Sequence, residues 1–297
     1  MRSRTRCASL QAGIAVITAM LLVALAASIA TFLLWRQQLW LRQVESIAAR
    51  AQADALAHAA IEWKRRAGAR APAAPFALAG VDVTVSDAQG LFNLNNLVRA
   101  GKASDPDLAV FRRLLASLGL PETLADALLD AIDADSDTTF PGGAEDLDYL
   151  AMQPPRRAPN RPLLDVSSLG RIKGFTPEAI ARLAPYVSAL PESTPVNVNS
   201  APAEVLHALI PGLDEGAARA IVEERSRKPF DSVDAFRAKL PQSVRMPADV
   251  ALGISSNYHV IVSRARLEGA TAFHRALVGT RGARREGILW RTEGFDG

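Results

Sequence analysis

Hydrophobic residues near the N-terminus run almost without interruption from Ile14 to Trp35. Only three hydroxyl side chains break the run, and no charged residue falls inside it. A helix over this stretch would be about 33 Å long, which is enough to cross the apolar core of a bilayer, about 30 Å thick. The pattern therefore predicts a transmembrane helix.

The flanking charges predict how this helix is oriented. Arg2, Arg4 and Arg6 precede it, and basic residues mark the cytoplasmic side of a membrane. A cleaved secretory signal is the competing interpretation, but its apolar region is normally only about 7–15 residues long. The longer run, followed directly by Trp35 and Arg36, favours a retained anchor with a cytoplasmic N-terminus.

The helical pattern continues beyond the apolar stretch. Apolar residues recur at helical spacing from Arg36 to Arg66, and this segment contains neither glycine nor proline. Gly68, Pro72 and Pro75 are expected to end the helix. A helix from Ile14 to Arg66 would be about 80 Å long. Because a small domain cannot bury such a helix, we expect it to pack against similar helices.

Alternating apolar and polar residues predict strands on both sides of a central region. Residues 81–87 alternate strictly, and a less regular second strand is expected over 91–97. Three more strand-like segments follow near the C-terminus: 257–267, 271–278 and 288–292. One sheet formed by these strands, with the second half of the long helix packed on it, would be an α+β fold.

The central region, residues 103–250, has the pattern of short helices. Within it, residues 172–183 and 210–221 form a pseudo-repeat, and the segment 196–236 resembles helix-hairpin-helix modules. Some of these modules bind DNA through backbone N–H groups at a glycine-rich turn. Here Asp214 and Glu215 follow Gly212, so two carboxylates stand where a phosphate would bind. We therefore favour structural packing, and keep a membrane-anchored helix-hairpin-helix DNA-binding protein as the alternative.

The distribution of charge also argues against binding to nucleic acid. The net charge of +3 and the pI of about 9.3 indicate a basic protein, but the basic excess lies at the two ends of the chain. Residues 71–259 carry 17 basic and 24 acidic side chains, and an acidic surface opposes nonspecific DNA binding. The single cysteine, Cys7, excludes an intramolecular disulfide.

The sequence favours a protein that is not an enzyme. Its four histidines are scattered, and it contains none of the motifs of serine hydrolases, zinc peptidases or P-loop nucleotidases. We therefore expect no small-molecule substrate.

An acidic stretch, residues 130–148, carries seven carboxylates. Such a density requires solvation or a cation, and Ca²⁺ takes about 6–8 oxygen ligands. Asp133, Asp135 and Asp137 have the spacing that opens an EF-hand loop, but Thr138 and Ala144 replace its glycine and glutamate. The stretch is therefore a different calcium loop or a solvated acidic turn.

The N-terminal segment resembles that of a type IV prepilin, because a basic stub and Gly13 precede an apolar helix that starts at Ile14. The resemblance implies that a prepilin peptidase cuts between Gly13 and Ile14 and methylates the new N-terminus. Most such proteins have Glu at the fifth mature position, where this chain has Thr18. The minor pseudopilin K (GspK) family of the type II secretion system characteristically lacks that Glu.

Other motifs resemble the same family and follow its order along the chain. They are the acidic stretch and the segments 93–95, 162–169, 196–206 and 225–230. The resemblance implies that the acidic stretch, residues 130–148, binds calcium, and this stretch is called the acidic loop below. The candidate ligands are Asp130, Asp133, Asp135, Asp137, Glu145 and Asp146.

The resemblance also implies a type IV pilin-like fold, in which a long N-terminal helix packs on a small antiparallel sheet. A large all-α insertion with helix-hairpin-helix or SAM-like repeats would interrupt the sheet. The expected segments are a leader (1–13), the long transmembrane and amphipathic helix (14–70), a first β part (76–102), the helical insertion (103–250) and a second β part (255–297).

The function implied is that of a minor pseudopilin at the tip of the type II secretion pseudopilus, which supports export of folded proteins across the outer membrane. Minor pseudopilins I and J, the major pseudopilin and the prepilin peptidase are the expected partners. The protein would be a single-pass inner-membrane protein with a periplasmic C-terminal domain. Thr18 fits a top position, because it lacks the carboxylate that would bond a neighbour's N-terminal amine.

Overall fold

The computed structural model describes residues 4–68, 80–244, 246–247, 249–281 and 284–296. Its first element is the long helix α1 (Arg4–Ala67), which begins earlier than the predicted start at Ile14. The helix ends as expected near Gly68, whose N–H donates to the carbonyl of Lys64. Pro72 and Pro75 lie outside the described residues.

The two halves of α1 have different surroundings. From Val16 to Leu41 its large hydrophobic side chains are exposed. Further along, buried hydrophobic positions follow one face of the helix, and four of these five are alanine: Ala49, Ala53, Ala57, Ala60 and Ile61. Because alanine is small, this stripe lets the helix lie close to a sheet.

That sheet has four antiparallel strands in the order β1-β2-β3-β4. They are β1 (Val81–Asp87), β2 (Tyr258–Leu267), β3 (Ala270–Arg281) and β4 (Arg284–Asp296). Glu268 and Gly269 both have positive φ, as a tight hairpin turn between β2 and β3 requires. The three predicted C-terminal strands are therefore present as consecutive neighbours; β2 matches its predicted range within one residue, and β3 and β4 are longer than their sequence patterns indicated.

The strands run alongside α1 in a defined direction. Ala53 packs with Val81 at the start of β1, whereas Ile61 packs with Val85 near its end. The end of β1 therefore lies beside the C-terminal end of α1, far from the predicted transmembrane segment. The chain leaves the sheet there and returns to it at Tyr258.

Between β1 and β2 the chain forms a region of short helices. They are α2 (Asp105–Ser117), α3 (Thr123–Ile132), α4 (Asp146–Leu150), α5 (Pro177–Leu183), α6 (Ala203–Leu209), α7 (Glu215–Arg227) and α8 (Val233–Arg237). Thr176, Asp214 and Ser232 cap α5, α7 and α8 by accepting a backbone N–H in the first turn. Pro177 is the first residue of α5, where its missing N–H costs no hydrogen bond, and the helix ends at Leu183.

The predicted second strand, residues 91–97, is not part of the sheet. It forms a two-residue strand, Phe92–Asn93, and a 3-10 helix, Leu94–Leu97. The strand pairs in parallel with Val187–Ser188, and Phe92 stacks on Phe111 of α2 at 5.7 Å between ring centroids. The helical core therefore begins before residue 103, because these apolar side chains pack into it and not onto α1.

Smaller elements complete the helical region. A second 3-10 helix spans Val166–Arg171. Val98–Arg99 pairs antiparallel with Lys102–Ala103, and Val196–Asn197 pairs in parallel with Leu252–Gly253.

A carboxylate at the end of β1 joins the sheet to the helical region. Oδ2 of Asp87 accepts hydrogen bonds from Asn197 (2.7 Å), Ser200 (2.6 Å) and Ser256 (2.6 Å). The motif residue Asn95 has a similar role inside the helical region, where its amide bonds the backbones of Leu163 and Leu190. These asparagines hold segments together that are far apart in sequence.

Candidate metal centre

The acidic stretch connects α3 to α4 and brings carboxylates from both helix ends together. Asp130 is fully buried in the last turn of α3, and Asp133 follows with an extended backbone. Glu145 is the residue immediately before α4. One ligand oxygen each from Asp133, Asp135 and Glu145 lies within 4.8 Å of the others.

Several oxygens in this cluster are buried without a donor. Among the residues that the structure describes, Oδ1 of Asp133, both carboxylate oxygens of Glu145 and Oδ1 of Asn160 find no hydrogen-bond partner. All four atoms are acceptors only. Burying such atoms unpaired costs free energy, and carboxylates in a shared site repel one another. A hard cation would remove both penalties at once, so the donor set fits the predicted calcium ion.

The electrostatics of the carboxyl groups agree with this geometry. Burial, followed by the charges of Asp135 and Asp130, raises the pKa of Asp133 to about 6. Burial, with the charge of Asp130 next, also raises the pKa of Glu145. In the absence of a cation, both groups are therefore held in an environment that disfavours their charged forms.

The loop closes tightly over Asp130. The backbone N–H of Thr139 donates to both oxygens of this carboxylate, at 3.1 and 3.2 Å. A Cβ atom on Gly143 would lie 2.1 Å from Oδ2 of Asp130 and 2.3 Å from the carbonyl of Thr139. Position 143 therefore requires glycine because the backbone approaches the carboxylate directly.

Two of the predicted ligands lie apart from the cluster of three. Asp137 is exposed, and its backbone N–H donates to Oδ1 of Asp135 at 2.9 Å. Oδ1 of Asp146 accepts from the backbone N–H of Ala158 at 2.9 Å, which leaves its other oxygen for a cation. The structure thus brings Asp133, Asp135 and Glu145 together beside Asp130, while the complete calcium ligand set stays a prediction.

Other acidic residues of the region are paired with bases. Nζ of Lys173 lies 2.6 Å from Oδ1 of Asp148, and this hydrogen bond lowers the pKa of Asp148. Arg112 contacts the buried carboxylate of Asp126 at 2.6 Å. These carboxylates already have a positive partner, so a cation would not be needed to neutralise them.

Sequence reasoning did not identify Asn160 as a member of the cluster. Its amide Nδ2 donates to the carbonyl of Asp135 at 3.0 Å, and its Oδ1 is one of the unpartnered buried acceptors. Asn160 stands in a proline-rich segment 12 residues after the acidic stretch, and its backbone is left-handed (φ 41°). A single amide oxygen at such a distance leaves no pattern in sequence.

The remaining predicted features lie on α1 and α7. Gly13 and Ile14 lie within α1, and the structure describes only their helical backbone. Residues Ala15–Ala67 contain a window with a mean hydropathy of 2.5, so α1 is long and apolar enough to span a membrane. In the hairpin turn, the carboxylate of Asp214 accepts the N–H of Ala217 at 2.8 Å. The side chain of Asp214 therefore occupies a backbone N–H at the start of α7 that an anion would otherwise use.

Comparison with known proteins gives consistent results. Family models described as "Type II secretion system (T2SS), protein K" match residues 90–192 and 196–255. The type II secretion system protein K of Pseudomonas aeruginosa is 36% identical over 285 residues, covering 86% of this chain and 85% of that protein. The Klebsiella pneumoniae protein of the same name is 34% identical over 231 residues, covering 70% of each.

A solved structure matches as well. The crystal structure of the GspK-GspI-GspJ complex from the enterotoxigenic Escherichia coli type 2 secretion system contains a chain with a TM-score of 0.65 and 25% identity. The match covers 87% of this chain and 99% of that one. It confirms the predicted long N-terminal helix and antiparallel sheet, whereas the helix-hairpin-helix repeats stay a prediction. The DNA-binding alternative gains no support, and the chain belongs to the protein K family of minor pseudopilins in the type II secretion system.

Proposed function

We propose that this chain caps the tip of the pseudopilus in a complex with minor pseudopilins I and J. The observation that carries the proposal is the position of the helical region. The chain enters it after Asp87 and leaves it before Tyr258, at the end of the sheet beside the last turn of α1. In a bundle of parallel pilin helices, this bulk would stand above the sheet and obstruct a further subunit.

The exposed half of α1 supports assembly with similar helices. Its hydrophobic side chains between Val16 and Leu41 are uncovered in the single chain, and a membrane followed by neighbouring helices would cover them. The related GspK occurs in a crystal with GspI and GspJ. The I-type and J-type minor pseudopilins are therefore the expected partners of this chain, and the major pseudopilin would lie below all three.

The test is co-purification of the full chain in detergent with I-type and J-type pseudopilins from the same genome. We expect one complex that contains all three proteins. A matched control co-expresses the I-type and J-type proteins alone. If that pair forms while this chain elutes separately, the tip-complex proposal is wrong.

Processing and location follow from the same proposal. The prepilin peptidase would cut between Gly13 and Ile14 and methylate Ile14, leaving α1 anchored in the inner membrane with the remainder in the periplasm. Mass spectrometry of the mature N-terminus decides this point, because a first residue other than methylated Ile14 contradicts it. The role is structural, without catalysis.

We further propose that the acidic loop binds calcium. Support comes from the acceptor oxygens of Asp133, Glu145 and Asn160 that are buried without donors, and from the convergence of Asp133, Asp135 and Glu145. Bound calcium would fix the loop between α3 and α4. Since the helical region forms the proposed cap, calcium would stabilise the part of the protein that stands at the tip.

A further inference from the structure

We propose a second cation site of different chemistry, a zinc site between α1 and the sheet. Its ligands are Asp54 and His58 on α1, His274 on β3 and Glu293 on β4. The ligand atoms of Asp54, His274 and Glu293 all lie within 4.8 Å of one another. Oδ1 of Asp54 is 2.7 Å from Nε2 of His274.

Strand register places the sheet ligands in one row. Glu293 is the cross-strand partner of His274 on β4, and Ser263 is its partner on β2. Residues directly opposite in antiparallel strands share a face of the sheet. All three therefore share the face of the sheet on which His274 meets Asp54 of α1.

His58 would supply the fourth group from the helix by a rotation of its side chain, because its nitrogens lie outside the group of ligand atoms that are within 4.8 Å of one another. It follows Asp54 by four residues, so both side chains lie on one face of α1. The rings of His58 and His274 are stacked with 6.3 Å between centroids and 26° between planes. Two neutral imidazoles and two carboxylates would balance the charge of a divalent ion.

The burial of His274 is the independent sign of a ligand. Its side chain is only 1% exposed, and it lies in an interface built mainly of alanines. Nδ1 of His274 and the hydroxyl of Ser263 are both buried, and neither has a hydrogen-bond partner within the described ranges. A histidine that binds zinc through Nε2 carries its proton on Nδ1 and needs an acceptor there. The Ser263 hydroxyl, across the strand ladder, would accept that proton once its side chain turns toward Nδ1, since the two atoms are not hydrogen-bonded to each other here.

The ligand types select the metal. Mixed imidazole and carboxylate donors suit zinc, with bonds of about 2.0–2.2 Å, whereas calcium prefers oxygen alone. Oε1 of Glu293 lies 2.6 Å from Nη2 of Arg291, so zinc would take the other oxygen. Glu293 and His58 are exposed, which gives the ion access from solvent. Bound zinc would thus link α1 to strands β3 and β4 of the sheet.

Calorimetric titration of the full chain in detergent with ZnCl₂ tests the proposal, with saturating calcium present to occupy the acidic loop. We expect one saturable zinc site. Co²⁺ in place of zinc should give the visible absorption of a tetrahedral nitrogen and oxygen site. His274→Gln should weaken zinc binding most, by more than the roughly 10–100-fold that loss of an outer-shell partner costs, Glu293→Gln by less and His58→Ala least.

The control variants separate this site from the acidic loop. Asp133→Asn with Glu145→Gln should leave zinc binding unchanged, and Arg291→Ala should leave it equal or tighter. Because His274→Gln alters a buried position, the exposed Glu293→Gln variant decides if the former fails to fold. Zinc binding that survives Glu293→Gln but disappears in the loop variant would overturn the proposal. Absence of saturable binding in the native sequence would do the same, leaving Asp54 and His274 as a buried hydrogen bond.

Discussion

The two carboxylate clusters of this protein differ in how the chain builds them. The acidic loop gathers its groups from one continuous stretch, 130–145, and from Asn160 nearby. The cluster between α1 and the sheet joins Asp54 to His274, which are 220 residues apart, and adds Glu293 from the next strand. The first is visible as a local density of charge, and the second exists only because the helix packs on the sheet.

The difference also concerns chemistry and place. The loop offers only oxygen atoms and lies in the helical region, whereas the α1 cluster includes imidazole nitrogen and lies in the pilin-like part. A hard cation such as Ca²⁺ should therefore bind the acidic loop, and a borderline cation such as Zn²⁺ should bind the α1 cluster. Each cluster would stabilise a different part of the molecule, which makes their effects separable by mutation.

The largest effect expected is loss of calcium stabilisation when the loop is neutralised. At calcium concentrations near 100 times Kd, binding stabilises the native state by about 2.7 kcal/mol, which raises Tm by roughly 5–10 °C in a domain of this size. Asp133→Asn with Glu145→Gln should abolish the shift. Thermal melts with calcium and with chelator measure it. His274→Gln with Glu293→Gln serves as the control and should keep the full shift. Equal loss in both variants would erase the distinction between the clusters.

A smaller effect is expected from closing the space above Asp130. Gly143→Ala forces a Cβ into Oδ2 of Asp130, so the loop must move, at a cost of about 1–3 kcal/mol. It should also weaken calcium binding. Gly287→Ala on β4 is the matched control, since a Cβ there meets nothing within 4 Å, and its effect should stay within about 0.5 kcal/mol. Urea unfolding of both variants makes the comparison, and equal stabilities would contradict the tight loop.

The pH dependence of the calcium-free protein should reveal Asp133. Its pKa is raised from 3.8 to about 6 in the folded state, so the folded state binds the proton more tightly than the unfolded one. The contribution of Asp133 to stability therefore falls as pH rises from about 4 to 6. Asp133→Asn should flatten this part of the profile in urea melts with chelator. Calcium should remove the fall in the native sequence, and parallel profiles for both proteins would refute the assignment.

The smallest effect is expected from Asp137. Its side chain is exposed and it lies outside the convergent group, so water and salt screen its charge. Asp137→Asn should change calcium affinity less than Asp133→Asn does, by only a few-fold against a much larger loss. Calorimetric titration with calcium compares the two. A larger loss for Asp137→Asn would show that the loop rearranges when it binds the ion.

The sequence predicted those parts of the fold whose pattern is local. Helix α1 and the three C-terminal strands follow from periodicity, and the acidic loop from charge density. The strand predicted over residues 91–97 was wrong, because Phe92 and Leu94 pack into a core formed by later helices. No local alternation of apolar and polar residues reveals such packing. Asn160 was missed because one amide has no distinguishing neighbours. His58 and His274 look unrelated in the sequence, because only the strand register and the packing of α1 on the sheet bring them together.

The most direct test of this account is a metal count on the full chain and its two paired variants, after incubation with both calcium and zinc and removal of loosely bound ions. Asp133→Asn with Glu145→Gln should lose calcium and keep zinc. His274→Gln with Glu293→Gln should lose zinc and keep calcium. A native chain that retains neither metal, or variants that lose both metals together, would contradict the presence of two separate sites.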